Sequence, residues 1–149
     1  MRQTKSIHYA AQYLSAEAVF WLLAQGADVN SKDSSGHAAI HYAAARENPD
    51  VILPIVARSA CHIDLQDLDG STALHIACAN QSFEIIKSLV TTNASPLIRN
   101  DYGKTPGDLL PSPSDELVLR YIRGYELHWL EKETANPRIS LPALGGPPI

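Results

Sequence analysis

Basic charge, cysteine and long apolar runs are all scarce in this sequence, and each scarcity excludes something. Lys and Arg total 12 against 16 Asp and Glu, a net charge of −4. A surface that neutralises many nucleic-acid phosphates needs the opposite balance, so no nucleic-acid partner is expected. The two cysteines, Cys61 and Cys78, form no C-x-x-C pair. They suggest neither a zinc ribbon nor a dithiol redox motif, and a domain of this size builds a core without disulfides. The most apolar early stretch, Ala18 to Ala24, is too short to span a bilayer, so no membrane insertion is expected. Met1 to Tyr9 has no apolar h-region of a signal peptide, and an intracellular setting, cytoplasmic or nuclear, is expected. There is no Gly-rich phosphate loop in a strand-to-helix context, no G-x-S-x-G and no H-E-x-x-H. No catalytic residue, metal or cofactor is therefore expected.

What the sequence does have is an internal repeat, in a composition (45% hydrophobic, 19% charged) that suits one globular domain. Ile7-His8-Tyr9-Ala10-Ala11 returns as Ile40-His41-Tyr42-Ala43-Ala44 and as Leu74-His75-Ile76-Ala77-Cys78, with the histidines 33 and 34 residues apart. Gly36, Gly70 and Gly103 keep the same period, each just ahead of one block. They follow acidic or amide residues in loops, where Gly accepts a positive φ cheaply. The small residues Ala10, Ala11, Ala43, Ala44 and Ala77 favour helix and close helix approach. Second helices are expected over the apolar runs Val19 to Leu23, Val51 to Ala57 and Ile85 to Val90. A unit of this length cannot bury its apolar faces alone, so neighbouring units must stack into a solenoid.

These blocks resemble the ankyrin-repeat family, whose signature is T-P-L-H-x-A followed by a second helix and a loop. Gly26-Ala27-Asp28-Val29-Asn30 is similar to the family's turn, with Ile63-Asp64 and Asn93-Ala94-Ser95-Pro96 as weaker copies. Gly103-Lys104-Thr105-Pro106 opens a partial fourth unit. The resemblance implies an all-α solenoid of helix-turn-helix units with loop or β-hairpin tips. Repeats are expected over about 1–33, 34–67 and 68–100, with the partial fourth from 101 to 110. A Pro/Ser linker with Ser114 as a cap and a C-terminal capping helix should follow over 111–133, then a flexible tail over 134–149. Val118, Tyr121, Ile122, Tyr125 and Trp129 fall at helical spacing and should form the buried face of that helix.

Departures from the pattern carry expectations of their own. Ala38-Ala39 replaces Thr-Pro in repeat two and loses the hydroxyl that the family uses beside its histidine. Pro54 should remove a hydrogen bond from that repeat's second helix and kink it, making repeat two the softest unit. Gly107-Asp108 replaces Leu-His in repeat four, where Pro111 stops the helix early. Phe20 aligns with Pro54 and Lys87 at an outward position, so the Phe20–Trp21 edge is a candidate for self-association. His8, His41 and His75 read as structural residues, one per repeat, spaced too far apart along the stack to converge on a metal. His37 and His41 are four apart, but no third ligand is suggested. Asp33, Asp67, Asp69 and Asp101 recur at loop tips as turn formers.

The resemblance implies binding of another protein through loop tips and the exposed side of the first helices. By register, the partner-binding candidates are Gln12 and Tyr13 in repeat one, and Ser34, Ser35, His37, Ala45 and Arg46 in repeat two. Repeat three supplies Leu68, Asp69, Ser71, Ala79 and Asn80; repeat four supplies Asp101, Tyr102 and Lys104. Tyr13, Arg46 and Tyr102 are the strongest candidates, because aromatic and Arg side chains dominate interface energetics. The expected function is a protein-interaction module: an adaptor, a targeting domain or an inhibitor. The alternative is a regulatory segment of a larger enzyme or channel.

Overall fold

The computed structural model describes residues 6–46, 48–110 and 116–135. The linker around Ser114 and the tail from residue 136 lie outside the described residues. Three helix pairs follow one another: α1 (Ser6–Tyr13) with α2 (Ala16–Ala24), α3 (Ala39–Ala45) with α4 (Pro49–Val56), and α5 (Ala73–Ala79) with α6 (Phe83–Thr91). A 3-10 turn, Pro106–Leu109, stands where a fourth first helix would begin, and α7 (Glu116–Ala135) ends the described chain. First helices pack on first helices and second on second: α1 on α3 on α5, and α2 on α4 on α6. The architecture is the all-α ankyrin solenoid, with loops that close as hairpins but contain no strand among the described residues.

Small side chains set the close spacing of the first helices. Ala10, Ala43 and Ala77 are equivalent and fully buried, as are Ala11, Ala44 and Cys78. The second helices fill the core with branched residues in register, such as Val19, Ile52 and Ile86. Burying an aliphatic side chain of this kind contributes about 1.5–3 kcal/mol, so the stack depends on this seam more than on any one hydrogen bond.

Two of the second helices, α2 and α4, start at caps that the sequence supplies, while Ser82 ahead of α6 makes no such bond. Ser15 Oγ accepts the Ala18 N–H at 3.3 Å, and Asn48 Oδ1 accepts the Asp50 N–H at 3.0 Å with Pro49 at the first helical position. These starts correct one expected alignment. Counted from the first helical residue, Phe20 is level with Leu53 and Lys87, not with Pro54. The extra residue of repeat two instead sits in the turn after α4. Repeats one and three end their second helices with left-handed residues, Gly26 at φ +94° and Asn93 at φ +77°. Each returns a following amide to the helix, Ala27 N–H to Leu22 O and Ala94 N–H to Leu89 O, both at 3.0 Å. Repeat two has no such residue and closes with the Cys61 N–H donating to Arg58 O at 2.9 Å. α4 itself runs on past Pro54 to Val56.

Each first helix is anchored by its histidine. His41 Nδ1 accepts the Ala38 N–H and His75 Nδ1 the Thr72 N–H, both at 3.0 Å. With Nδ1 accepting, Nε2 carries the proton and reaches the next loop: His41 to Ser71 O at 3.2 Å, His75 to Lys104 O at 2.9 Å. His8 Nε2 likewise meets Ser31 O at 2.7 Å. In repeat four Asp108 takes the histidine's place, its Oδ2 accepting the Thr105 N–H at 3.0 Å. That bond, with the other contacts of Thr105 and nearby Arg99 and Lys104, holds its carboxyl below the usual carboxylate range despite some desolvation.

α7 covers the far end of the stack. Ile122 is fully buried, and Tyr121 packs edge-on against Phe83 with ring centroids 5.6 Å apart. Gly107 lets it approach: a Cβ there would lie 3.2 Å from Ile122 Cγ2. Val118, Tyr121, Tyr125 and Trp129 are half-buried around Ile122, as their spacing predicts. The helix passes Gly124 without a break and reaches Ala135, so Thr134 and Ala135 are helical where a tail was expected.

Candidate functional site

The loops ahead of α3, α5 and the 3-10 turn share one construction. Asp33 Oδ1 accepts the N–H groups of Ser35 and His37 at 2.9 and 3.0 Å. Asp67 Oδ1 does the same for Asp69 and Ser71, and Asn100 Oδ1 for Tyr102 and Lys104, all between 2.9 and 3.0 Å. A short side-chain oxygen thus organises each tip, which is why Asp or Asn recurs there. The tips are also tied to one another: Leu68 N–H donates to Ser35 O at 3.3 Å, and Asp101 N–H to Asp69 O at 2.9 Å. Gly70 serves both demands. It holds φ +73°, and a Cβ on it would sit 2.9 Å from the Asp101 backbone nitrogen.

This scaffold projects an exposed row of unlike side chains. Ser34, Leu68 and Asp101 are equivalent, as are Ser35, Asp69 and Tyr102, and all six are exposed. Leu68 and Tyr102 stand out at 70% and 73% relative exposure, large apolar surfaces without a cover. Lys104 is exposed, while Ser71 and His37 are half-buried. On the first helices Gln12, Tyr13, Ala45, Ala79 and Asn80 are exposed. The tip row carries two exposed carboxylates, Asp69 and Asp101, against one exposed ammonium, Lys104.

Two of the sequence candidates are engaged inside the fold. Arg46 Nη1 donates to Leu14 O and, at 3.4 Å, to Ala11 O, so its guanidinium closes the C-terminal end of α1. His37 Nε2 lies 3.2 Å from Asp67 Oδ2 and its ring packs against His41 and Tyr42. It ties one loop to the next. Beside it, Tyr42 donates its hydroxyl to Asp33 Oδ2. Burial and this anionic neighbour push the Tyr42 phenol up to about 12. No group of three or more His, Cys, Asp or Glu residues converges as a metal-binding set among the described residues.

On the opposite side of the loops, the turn residues join repeats. Asn30 Nδ2 donates to Ala60 O at 2.6 Å while its Oδ1 accepts the His62 N–H at 2.8 Å. Asp64, its equivalent, accepts the Ser95 N–H at 2.8 Å, and burial raises its carboxyl pKa. One exposed residue of the first-helix face was missed in the sequence reading. Tyr9 is 54% exposed and packs on Tyr13 with ring centroids 5.0 Å apart. Their i, i+4 spacing on one helix face was the available signal.

No helix of the described residues is long and apolar enough to cross a membrane. Part of the chain is similar to curated proteins that carry ankyrin repeats or a regulatory name. It is 37% identical over 59 residues to the BTB/POZ domain and ankyrin repeat-containing protein NPR1 of Malus hupehensis, covering 39% of this chain and 10% of that protein. It is 39% identical over 56 residues to NPR3 of Oryza sativa subsp. japonica, described in the same words, covering 37% and 10%. With the Regulatory protein NPR4 of Arabidopsis thaliana the identity is 36% over 59 residues, covering 39% and 10%. The alignments thus take in about a tenth of the length of these curated relatives. The family model "Ankyrin repeats (3 copies)" matches residues 7–100, the span of the three helix pairs with their loops. With that match over more than half its length, and with loops, histidines and helix pairs in register, this chain belongs to the ankyrin-repeat family.

Proposed function

We propose that this chain is a protein-interaction module whose partner lies along the loop tips and the exposed side of the first helices. The observation that carries the reading is exposed Leu68 and Tyr102 on loop tips fixed by side-chain-capped turns, with Tyr13 exposed at the end of α1. A surface already ordered loses little entropy on binding, and aromatic anchors on it supply most of the affinity. Gln12, Ser34, Ser35, Asp69, Ser71, Asn80, Asp101 and Lys104 form the polar surround of those anchors. His37 and Arg46 act at this surface by holding α1 and the neighbouring loops in place. The family match supports this reading, because ankyrin repeats are in general an interaction fold.

The second reading is a regulatory ankyrin segment of a larger protein, an enzyme or channel among the choices. The relatives favour it to this extent: each is about ten times longer than the matched stretch, and one carries the word regulatory in its name.

The test is affinity capture from lysate of the source cells with a cross-linking step. It compares the intact chain with a Tyr13→Ala, Leu68→Ser, Tyr102→Ala variant whose circular dichroism is unchanged. Arg46 is left intact because it closes α1. A protein held by the intact chain, cross-linked to the tips and lost by the variant supports the proposal. Equal capture by both moves the site elsewhere on the molecule.

A further inference from the structure

α7 has two apolar sides, and the stack uses one of them. Val118, Tyr121 and Tyr125 pack with buried Ile122 on the core. Leu119, Leu127 and Leu130 fall at helical spacing on the adjoining side. With Leu97 and the 3-10 turn they line a groove of about 460 Å³. Leu127 is 62% exposed there. Asp108 and Glu126 bring carboxylates to the groove, and Arg99 and Arg123 guanidinium groups. Two of these charges are engaged within the last loop and turn. Arg99 donates to Gly103 O at 2.8 Å, and Asp108 accepts the Thr105 N–H. Burial raises the Glu126 carboxyl pKa even though Arg123 is near, so one more cation would be favourable beside it.

The sequence that follows α7 has the matching chemistry. Residues 136–149 carry Ile139, Leu141 and Leu144 within six positions and a single charge, Arg138. A segment that stays in water has the opposite balance, with many charges and few large aliphatics. Pro137 and Pro142 disfavour helix and favour extended backbone, and α7 accordingly stops at Ala135, ahead of the Asn136-Pro137 pair. The lengths agree as well. Leu119 and Leu130 are 11 residues apart, about 17 Å of helix at about 1.5 Å per residue. At about 3.3 Å per extended residue, three residues lead back from Ala135 to the level of Leu130, and the next six span about 20 Å.

We propose that residues 138–144 of this chain fold back along α7 and occupy the groove. Ile139 and Leu141 then cover Leu130 and Leu127, Leu144 reaches Leu119, and Arg138 comes within a side chain's length of Glu126. The chain thereby holds its own ligand at the capped end, and any other protein that uses this side of α7 must first displace it. The surface is separate from the tip row assigned to the partner, so the two readings stand or fall independently.

The whole chain serves for the test, with Cys61→Ala and Cys78→Ala, since Ala27 and Ala44 fill the matching positions. A nitroxide is attached at Ser140→Cys, and leucine methyl signals are recorded before and after its reduction. The signals of Leu119, Leu127 and Leu130 should be lost while the nitroxide is active, and those of Leu23 retained. A mixture of isotope-labelled chain without nitroxide and unlabelled chain with it should show no loss. As a second measurement, removal of residues 136–149 should lower the melting temperature by several degrees. In a Leu127→Asp background, which changes an exposed residue, the same removal should have no further effect. The proposal is overturned if the three leucines keep their signals. Loss in the mixed sample also overturns it, since the segment then docks on a second copy. So does a melt that truncation leaves unchanged, or lowers equally with Asp at position 127.

Discussion

Repeat two lacks a hydroxyl that repeat three uses, and restoring it should stabilise the protein. Thr72 is fully buried; its Oγ1 accepts the His75 N–H at 3.4 Å and lies 2.9 Å from His75 Nδ1. Ala38 occupies the equivalent place with no side-chain cap bond, although the backbone is already set for one: φ −97°, ψ 174°, against −92°, 170° at Thr72. His41 Nδ1 is also in place, accepting the Ala38 N–H at 3.0 Å as His75 does for Thr72. An Ala38→Thr change therefore adds a cap without moving the chain. A Ser or Thr cap is worth about 1 kcal/mol over Ala, within a range of about 0.5–2. The cost to weigh is the room for one methyl and one hydroxyl at a buried site, where overpacking costs about 1–3 kcal/mol. Repeat three accommodates the same side chain on the same backbone, which argues that the cap wins. For a slope of about 2 kcal/mol per molar urea, the midpoint should rise by about 0.5 M. Thr72→Ala should lower it by a similar amount. If Thr72→Ala destabilises but Ala38→Thr lowers the midpoint, the two repeats do not share a cap geometry and the reasoning from register is wrong.

Three further outcomes are expected. Burial lowers the pKa of both His41 and His75 below the usual imidazole range, outweighing their bonds to the Ser71 and Lys104 carbonyls. Below pH 6.5 the unfolded chain then binds more protons than the native one, so stability should fall on acidification from 6.5 down to the lowered folded values, by at most about 1.4 kcal/mol per pH unit for each histidine. Urea midpoints at closely spaced pH values check this, and a flat profile between pH 7 and 5.5 would count against neutral buried histidines. Burial pushes the Cys61 thiol up to about 11 and the Cys78 thiol up to about 12, so a thiol-exchange reagent at pH 8 should react slowly with both until denaturant is added. Gly70→Ala should cost more than Gly103→Ala in the same melt. Both hold φ near +74°, but only at Gly70 does a Cβ meet the Asp101 backbone, and equal losses would mean the loops separate freely.

The period of the histidine blocks, together with the glycines, made the stack and its three helix pairs readable before any coordinates. Each block carries a helix start, an internal cap and two small residues, and these are local properties of short segments. The turn after α4 was not readable in the same way. The insertion there is one residue, Arg58 to Cys61 in place of the Gly26 turn, and an alignment that spreads the gap wrongly shifts Phe20 from Leu53 to Pro54. Asp108 was seen as a missing histidine, but its carboxylate accepts the same backbone N–H, a likeness of geometry rather than of residue type. Apart from His37, Arg46 and Ser71, which are half-buried, the site candidates fell on exposed positions because register decides exposure in a repeat. Register does not decide what a long side chain reaches, so Arg46 could not be seen closing α1, nor His37 binding Asp67 across to the next loop.

Those last contacts bear on which unit gives way first. Repeat two has no hydroxyl cap on α3, no left-handed closure after α4 and a proline within α4. Bonds to its neighbours stand beside these losses. Arg46 reaches back to α1, Asn30 reaches forward to Ala60 and His62, and His37 and Lys32 reach across to Asp67 and Gln66 O. A unit that is weak within itself and strong at its borders should unfold with its neighbours and not alone. Native-state hydrogen exchange distinguishes the two cases. The amides of α3 and α4 should exchange with the same opening free energy as those of α1 and α5, and Arg46→Met with Asn30→Ala should uncouple them, so that α3 and α4 exchange first. If α3 and α4 already exchange first in the unaltered chain, the border contacts do not hold the repeat and its internal defects set its stability.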